Sequence, residues 1–378
     1  MVFGYITKKL LLCYINLYPK PTMALDIVRV LGALRSDVQF LRTLEHILIE
    51  RDTISWGSNS ATARCRVMGM EGTFLLKCYF RHRRNAQAIY GDRFYPQEFG
   101  VAGFRGHMEY ADIALLDWVE GTPLETLLWR EDADYKAFSE AFDRLALRTL
   151  RSDGAHGDIK PENIIVKPDG EMELIDWDAA WRPGMSSYDA EEIGTFAYRH
   201  PLRDDTNFNK HIDDYPIALI STTLAALAID SEAMLKFRNA ENCIIHPEDA
   251  IQGKDPAVRH AIELFEQVGD AAHYRIAQIL ESIFTSNISL PDYIFYASQP
   301  RPTSVPSSAT LAKEWHLYGL RAGNEWVVPP LYDWVDEPKN GVCRLTLGNH
   351  EFEIGVVDAK ECCEADEEAE ANPSEPPL

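Results

Sequence analysis

The spacing of apolar residues predicts a helix first, then strands, then a long helical segment. Residues 26–52 carry apolar side chains at helical intervals, which predicts an amphipathic helix. Short apolar runs bounded by turn residues follow, and they predict strands at residues 63–68 and 72–80. Residues 134–152 predict a second amphipathic helix. The apolar run 217–229 predicts a helix buried in a core, and helical spacing continues to about Phe295.

A tight β-hairpin is predicted between these helical segments. Two short apolar runs, residues 164–166 and 172–175, flank a Pro-Asp-Gly turn. Pairing of the two runs would bring Asn163, just before the first run, close to Asp176, just after the second. Together with Asp158, these residues supply carboxylate and amide oxygens, which are the ligands that Mg²⁺ prefers. The hairpin therefore predicts a magnesium site.

The motifs around this hairpin resemble those of protein kinases, in particular bacterial Ser/Thr kinases. Residues 156–163 read HGDIKPEN where the family has H-R-D-x-x-x-x-N, and residues 176–178 read DWD where it has D-F-G. Residues 194–201, GTFAYRHP, are similar to the family's G-T-x-x-Y-x-x-P-E pattern, with Leu202 where the glutamate would be. The resemblance implies an α+β, bilobal fold over residues 23–298, with a β-rich N-terminal lobe and a helical C-terminal lobe.

The resemblance also implies a role for individual residues, with ATP and Mg²⁺ as cofactors. Asp158 would orient the substrate hydroxyl, and Lys160 would neutralise the transferred phosphate. Asn163 and Asp176 would hold Mg²⁺. The residues expected to contact ATP are Gly57, Lys77, the hinge residues Asp117, Trp118 and Val119, and Ile165. Lys77, Asp158, Asn163 and Asp176 would then converge on one cleft.

Several positions of the N-terminal part depart from the family pattern. The glycine-rich loop keeps only Gly57, and Leu75 replaces a small alanine near the adenine site. Residues 81–94 should hold the helix whose glutamate pairs with Lys77, but they contain no glutamate. Either Glu98 or Asp92 takes that role, or the ion pair is absent. These departures keep a pseudokinase interpretation open.

Further residues of the kinase-like motifs bear on regulation and on the choice of substrate. Gly157 stands where the family has an arginine that reads a phosphate on the activation loop. Its absence predicts activity without activation-loop phosphorylation. Lys160 and Thr195 favour a Ser/Thr protein substrate, with Thr195 in a substrate-positioning role. Asp213 would tie down the catalytic loop from the start of the following helix.

A second, smaller module is predicted after the helical segment. Residues 299–310 are rich in Pro and Ser and predict a linker, and residues 311–358 predict a small β module. Residues 314–335 resemble a WG repeat, and a partial second copy begins at Phe352. Repeats usually need about three copies to bury a core. We therefore expect the module to pack on the kinase-like part or on a protein partner, unless it is a plain β extension.

Composition narrows the partners and the compartment. The 378 residues carry 37 Lys and Arg against 59 Asp and Glu, a net charge of −22. This balance argues against nucleic acid or anionic lipid as the main partner. The seven cysteines lack metal-binding spacing and fit reduced thiols of a cytoplasmic protein. No apolar run reaches the roughly 20 residues that cross a bilayer.

The two ends of the chain carry separate expectations. Residues 1–22 contain Lys8 and Lys9 before a short apolar run that lacks a clear cleavage site. We expect a dispensable extension, or a start codon assigned too far upstream, rather than a targeting signal. Residues 359–378 are acidic, end in prolines, and predict a disordered tail.

The leading functional prediction is an ATP- and Mg²⁺-dependent Ser/Thr protein kinase. The first alternative is a pseudokinase scaffold that binds a partner through its WG-like module. The second is a small-molecule phosphotransferase related to aminoglycoside or choline kinases, which share the H-G-D sequence. Transfer of phosphate to protein, to a small molecule or to neither separates the three.

Overall fold

The computed structural model describes residues 24–103, 107–240, 242–339 and 341–357. The expectations for residues 1–22 and 359–378 lie outside these ranges. The chain has a mixed α+β fold, with a sheet-rich N-terminal part and helices C-terminal to it. Contacts divide it into two compact units, Met1–Val119 and Glu120–Leu378.

The first unit is built on an antiparallel sheet. Its strands are β1 (Ile47–Ile49), β2 (Ser55–Trp56), β3 (Ser60–Val67), β4 (Phe74–Tyr79), β5 (Phe94–Ala102) and β6 (Met108–Asp117). The order is β1-β3-β4-β6-β5, and β2 pairs with β3. Strands β3 and β4 match the two strands predicted at residues 63–68 and 72–80.

The helix predicted over residues 26–52 is wrong beyond its first third. Helix α1 (Ile27–Arg35) begins at Asp26, whose side chain accepts a hydrogen bond from the Arg29 backbone N–H. Beyond Ser36 the chain is mostly irregular until β1. Side chains elsewhere in the unit satisfy its backbone there: the Gln39 amide bonds both the N–H and the C=O of Ile47. Such contacts outweigh helical spacing.

The second unit contains most of the helices. They are α3 (Leu124–Leu128), α4 (Tyr135–Arg151), α5 (Asp214–Ile229), α6 (Ser231–Leu235), α7 (Pro247–Ala250), α8 (Pro256–Val268), α9 (Ala271–Ile279) and α10 (Leu290–Ala297), while α2 (Ala86–Tyr90) belongs to the first unit. Asp134 caps α4 by accepting from the Ala137 N–H. Helix α5 is buried along most of its length. The predicted amphipathic helix and the predicted buried helix are both confirmed.

The last strands form two sheets at the C-terminal end of the described chain. One contains β11 (Thr310–Glu314), β12 (Leu317–Ala322) and β13 (Glu325–Tyr332). The other contains β10 (Ser304–Pro306), β14 (Trp334–Val335), β15 (Val342–Leu347) and β16 (His350–Val357). Residues 299–310 are predicted to be a linker, but part of this segment is strand β10. This strand pairs in parallel with β16.

This C-terminal module shares one hydrophobic core with the helices. Arg275 of α9 donates from Nε to the Leu331 carbonyl at 2.8 Å and from Nη2 to Asp333 Oδ1 at 2.8 Å. Glu266 of α8 accepts hydrogen bonds from the Asn349 backbone and from His350. The expectation that the module packs on the helical part is therefore confirmed.

A buried ion network joins three helices beside this module. His273 of α9 contacts Asp143 of α4 through Nε2 at 3.1 Å and Asp270 through Nδ1 at 3.0 Å. Ser221 of α5 donates to Asp143, and Arg301 pairs with Asp270. Burial alone would lower the pKa of His273, but Asp270 and Asp143 outweigh it and raise that pKa from 6.5 to about 10. His273 is therefore a cation in the folded protein at neutral pH.

The raised pKa of His273 predicts a pH-dependent contribution to stability. The cationic form is favoured by folding, so this contribution is complete below the unfolded pKa of 6.5 and is lost as pH rises toward about 10. We expect His273→Asn to lower the free energy of unfolding more at pH 6 than at pH 10, measured by urea denaturation. His260→Asn is the control at a partly exposed histidine. A penalty that stays constant with pH would contradict a charged His273.

Two further findings concern the sequence expectations. Among the residues that the structure describes, none of the helices has the length and apolar character needed to cross a bilayer. The four described cysteines, Cys65, Cys78, Cys243 and Cys343, are buried and form no disulfide bond with one another. Burial raises the pKa of the Cys65 thiol to about 12, so this side chain stays protonated at neutral pH.

Candidate functional site

The predicted hairpin is present in the second unit. Strands β8 (Ile164–Val166) and β9 (Met172–Leu174) are antiparallel, with Ile164 opposite Leu174. The pairing extends one residue further, since the Ile175 N–H donates to the Asn163 carbonyl at 2.9 Å. β7 (Thr122–Pro123) adds a third strand. Asn163 and Asp176 therefore lie at neighbouring strand ends, as the sequence predicts.

Asn163 is held by Asp158. Its Nδ2 donates to the Asp158 carbonyl oxygen at 2.9 Å and to Asp158 Oδ2 at 3.3 Å. Both partners are acceptors, so the amide group must present its nitrogen to them. Asn163 Oδ1 accepts no hydrogen bond from the residues that the structure describes. This oxygen is therefore available to a ligand.

Asp158, Lys160 and Thr195 form one hydrogen-bonded group with Asn163. Asp158 Oδ1 accepts from the Thr195 N–H at 2.5 Å, and Lys160 Nζ lies 3.3 Å from Asp158 Oδ2. Lys160 Nζ also donates to Thr195 Oγ1 at 3.0 Å. The side chains of Asp158 and Lys160 are only partly buried, so the group stays accessible from solvent. The structure thus brings together four of the residues singled out from the sequence.

His156 contacts the backbone of this group, and the sequence analysis gave it no separate role. It is fully buried, its Nε2 lies 2.8 Å from the Ile175 carbonyl, and its Nδ1 lies 3.3 Å from the Asp158 N–H. Burial lowers the pKa of His156, although Asp213 opposes the shift. A neutral ring protonated at Nε2 satisfies both contacts. The ring also packs on Trp177 at 4.7 Å.

Asp213 anchors the backbone of the same loop. One carboxylate oxygen accepts from the His156 N–H at 2.5 Å and the other from the Gly157 N–H at 2.8 Å. Asp213 precedes α5 and is 2% exposed. Burial raises its pKa, and the bonds from His156 and Gly157 oppose that shift. The expected connection between Asp213 and the loop is present.

Gly157 has a steric reason to be glycine. Its φ is 84°, a left-handed conformation that costs other L residues energy. A Cβ atom at this position would also overlap the carbonyl oxygen of Ala179. The sequence interpretation treated Gly157 as the loss of an arginine. The structure adds that no side chain fits the backbone here.

Arg203 is a second loop anchor, and no motif in the sequence pointed to it. Its Nη1 donates to the Gly157 carbonyl at 3.0 Å, and the residue is 5% exposed. Burial lowers the pKa of its guanidinium, and Asp213 opposes the shift. Asp213 therefore fixes the peptide group before Gly157 through its N–H, and Arg203 fixes the peptide group after Gly157 through its carbonyl.

Asp176 has an unusual backbone for a residue with a side chain. Its φ is 65° and its ψ 62°, and a single 3-10 turn, Trp177–Ala179, follows directly. Aspartate tolerates this left-handed region better than most residues. Strained backbone of this kind is frequent at functional sites. The turn is fixed in part by Trp177, whose Nε1 donates to the Leu174 carbonyl.

The donor set around the hairpin fits a magnesium ion in its chemistry. Among the described residues, no group of three or more His, Cys, Asp or Glu side chains is placed to hold a metal. Asn163 and Asp176 offer an amide oxygen and a carboxylate instead. Mg²⁺ is often held by one or two protein oxygens, with phosphates and water completing its shell.

The predicted nucleotide contacts of the first unit lie on its sheet. Lys77 is on β4 between Thr62 of β3 and Ala114 of β6, and it is 5% exposed. Leu75 precedes it on the same face of the strand. Gly57 lies in the turn between β2 and β3, where its N–H donates to the Ser60 carbonyl at 3.0 Å.

The residues predicted to form a hinge lie at the end of β6 or directly after it. Asp117 pairs with Arg93 at 2.9 Å, and the Trp118 N–H donates to the Thr73 carbonyl at 3.0 Å. Val119 is partly buried. The last predicted contact, Ile165, lies on β8 in the second unit and is buried.

Neither carboxylate expected to pair with Lys77 does so. Glu98 accepts hydrogen bonds from the backbone N–H groups of residues 42–44 and from Thr43 Oγ1. Asp92 is exposed in a 3-10 turn and bonds no described residue. Both assignments are therefore wrong. Glu98 instead satisfies the backbone of the irregular segment that replaces the end of the predicted helix.

Comparisons with known proteins add no family to this picture. No protein-family model matches the chain, and no curated protein matches it either.

Proposed function

We propose that this chain is an ATP- and Mg²⁺-dependent phosphotransferase with a protein kinase-like fold, acting on Ser or Thr hydroxyls of proteins. The observation that supports it most directly is the group Asp158, Lys160, Asn163 and Thr195, joined by hydrogen bonds on a loop anchored by Asp213. A surface loop without a function would not need two of its backbone N–H groups fixed by a buried carboxylate.

The side chains have distinct tasks in the proposed reaction. Asp158 orients the attacking hydroxyl of the substrate. Its Oδ1 accepts a hydrogen bond from the Thr195 N–H, which holds the carboxylate in place. Lys160, 3.3 Å from Asp158, neutralises charge on the transferred phosphate. Lys77 holds the other phosphates of ATP. Phosphoryl transfer depends mostly on positioning and charge stabilisation, so few groups suffice.

Asn163 and Asp176 supply the metal ligands in this proposal. Bound Mg²⁺ neutralises phosphate charge and fixes the geometry of the phosphate chain. Asn163 is oriented for this task, because Asp158 holds its amide nitrogen and leaves Oδ1 free of described partners. Asp158 thereby links the metal ligand to the substrate hydroxyl.

Regulation is proposed to be independent of activation-loop phosphorylation. Asp213 accepts from the Gly157 N–H, and Arg203 donates to the Gly157 carbonyl, so both neighbouring peptide groups are already held. A phosphate-reading arginine at position 157 would not fit the backbone. The loop is therefore fixed by groups that need no covalent modification.

Replacing Asp176 tests the metal assignment. We expect ATP with Mg²⁺ to raise the melting temperature of the wild-type protein, and EDTA to abolish most of that rise. Asp176→Asn should lose the Mg²⁺-dependent part, because one carboxylate ligand becomes a neutral amide. The matched control is Asp169→Asn, an exposed acid in the turn of the same hairpin. A full Mg²⁺-dependent rise in Asp176→Asn would refute its role.

Two alternatives make different predictions. The five-residue helix α2 and the single glycine of the β2–β3 turn favour a pseudokinase scaffold. In that case ATP stabilises the protein weakly or not at all, and no phosphate is transferred.

The required glycine at position 157 and the Asp176-Trp177-Asp178 sequence favour a small-molecule kinase. In that case aminoglycosides, choline or other small alcohols are phosphorylated and proteins are not.

A further inference from the structure

A large cavity lies within the second unit, distant in sequence from the Asp158 loop. Its volume is about 670 Å³, a size typical of ligand sites. Its walls come from the first half of α4, the ends of α5 and α10, the start of α9, the segment after α10, and β13. The cavity therefore lies where the helices meet the C-terminal module, whose role the phosphotransfer proposal leaves open.

The cavity wall carries three acidic and three basic side chains, so its charges compensate one another. Asp143, His273, Asp270 and Arg301 form the ion network described above, with two carboxylates and two cations in contact. Asp143 and His273 are buried, so a ligand cannot pair with them without breaking the network. A net charge on the ligand would gain little here. The wall therefore favours a neutral ligand.

Several hydrogen-bond donors that bond none of the described residues line the same cavity. Ser139 and Tyr332 are each 6% exposed, and their hydroxyls bond none of the described residues. Both hydroxyl oxygens keep some accessible surface, so both can be reached from the cavity. Trp326 Nε1 and the Tyr296 hydroxyl also bond no described residue. Buried polar groups normally have partners, so these donors favour a ligand with carbonyl acceptors.

Aromatic and proline surfaces surround these donors. Tyr296, Trp326 and Tyr332 contribute rings, and Pro300, Pro302 and Pro329 contribute further apolar faces. Polyproline II segments carry free backbone carbonyls, because that helix has no internal hydrogen bonds. They dock in aromatic-lined grooves and lose little entropy on binding.

We propose that this cavity binds a proline-rich segment of a partner protein in the polyproline II conformation. The carbonyl groups of the segment accept from Ser139, Tyr332 and Trp326, while its pyrrolidine rings pack on the aromatic side chains. A neutral peptide suits the compensated ion network. This binding does not depend on phosphotransfer, so each activity can fail without the other.

Fluorescence anisotropy on the full chain tests the proposal. The probe is a fluorescein-labelled decaproline peptide, and the comparison peptide is a Gly-Ser decamer with the same label. We expect decaproline to bind with a dissociation constant of about 100 µM or tighter, and the Gly-Ser peptide to bind at least about tenfold more weakly.

Two hydroxyl deletions make the test specific. Tyr332→Phe and Ser139→Ala each remove a group that bonds no described residue, so the melting temperature should stay unchanged. Each should weaken decaproline binding by about two- to tenfold. Trp326→Ala should weaken it by about tenfold or more. Trp315→Ala is the matched control, since Trp315 is 75% exposed at the β11–β12 turn and outside the cavity.

The outcomes separate cleanly. Binding of decaproline that falls in the three cavity variants and persists in Trp315→Ala supports the proposal. Absence of decaproline binding overturns it, as does equal binding of the Gly-Ser peptide. Binding that is insensitive to Tyr332→Phe, Ser139→Ala and Trp326→Ala also overturns it, because the peptide would then lie elsewhere.

Discussion

Gly157→Ala is expected to destabilise the protein by about 3 kcal/mol or more and to abolish phosphotransfer. A left-handed backbone at an alanine costs about 1–2 kcal/mol. The new Cβ would in addition overlap the Ala179 carbonyl, so the loop or the turn after Asp176 must move. Both of those segments carry residues assigned to the reaction. Urea denaturation gives the stability, and a phosphotransfer assay gives the activity.

Gly170→Ala separates the two causes. Gly170 has almost the same φ, 83°, but a Cβ atom there would meet nothing within 4 Å. Its substitution should cost only about 1–2 kcal/mol for the backbone conformation and leave activity intact. If Gly157→Ala and Gly170→Ala behave alike, the close approach of Ala179 has no influence on the loop.

Asp213→Ala is expected to cost about 3–5 kcal/mol and to remove activity. The substitution leaves the buried N–H groups of His156 and Gly157 without an acceptor. It also removes the carboxylate that contributes most to stabilising the charge of the buried Arg203 guanidinium. The isosteric Asp213→Asn keeps the volume of the side chain, but its amide N–H must face the backbone N–H of either His156 or Gly157. It should therefore retain more stability than Asp213→Ala and still lose activity.

Asp214→Asn is the matched control for Asp213. Asp214 is the next residue, is equally buried, and bonds His211 and the Asn287 backbone instead of the loop. Its substitution should lower stability and leave turnover per folded molecule unchanged. Equal turnover in folded Asp213→Asn and wild-type protein would show that the carboxylate is only structural.

The sequence predicts local elements where the deciding contacts are local. Helix α4 is recognisable because its cap, Asp134, and its apolar stripe lie in one continuous stretch. The β8–β9 hairpin is recognisable because its turn residues lie between two short apolar runs. The spacing of Asp158, Asn163 and Asp176 follows from that hairpin.

Contacts distant in sequence account for the rest. Glu98 and Gln39 satisfy backbone groups that a longer first helix would have used itself. Arg203 lies 46 residues after Gly157, so no motif around the loop could predict this contact. Strand β10 exists only because β16, about 50 residues later, provides its partner.

The most direct test of the central claim is transfer of radiolabelled γ-phosphate from ATP by the purified full chain with Mg²⁺. The account predicts label on Ser or Thr of the chain itself or of an added protein, and loss of that label in Asp158→Asn. No transfer to protein by the wild type, or equal transfer by Asp158→Asn, would contradict it.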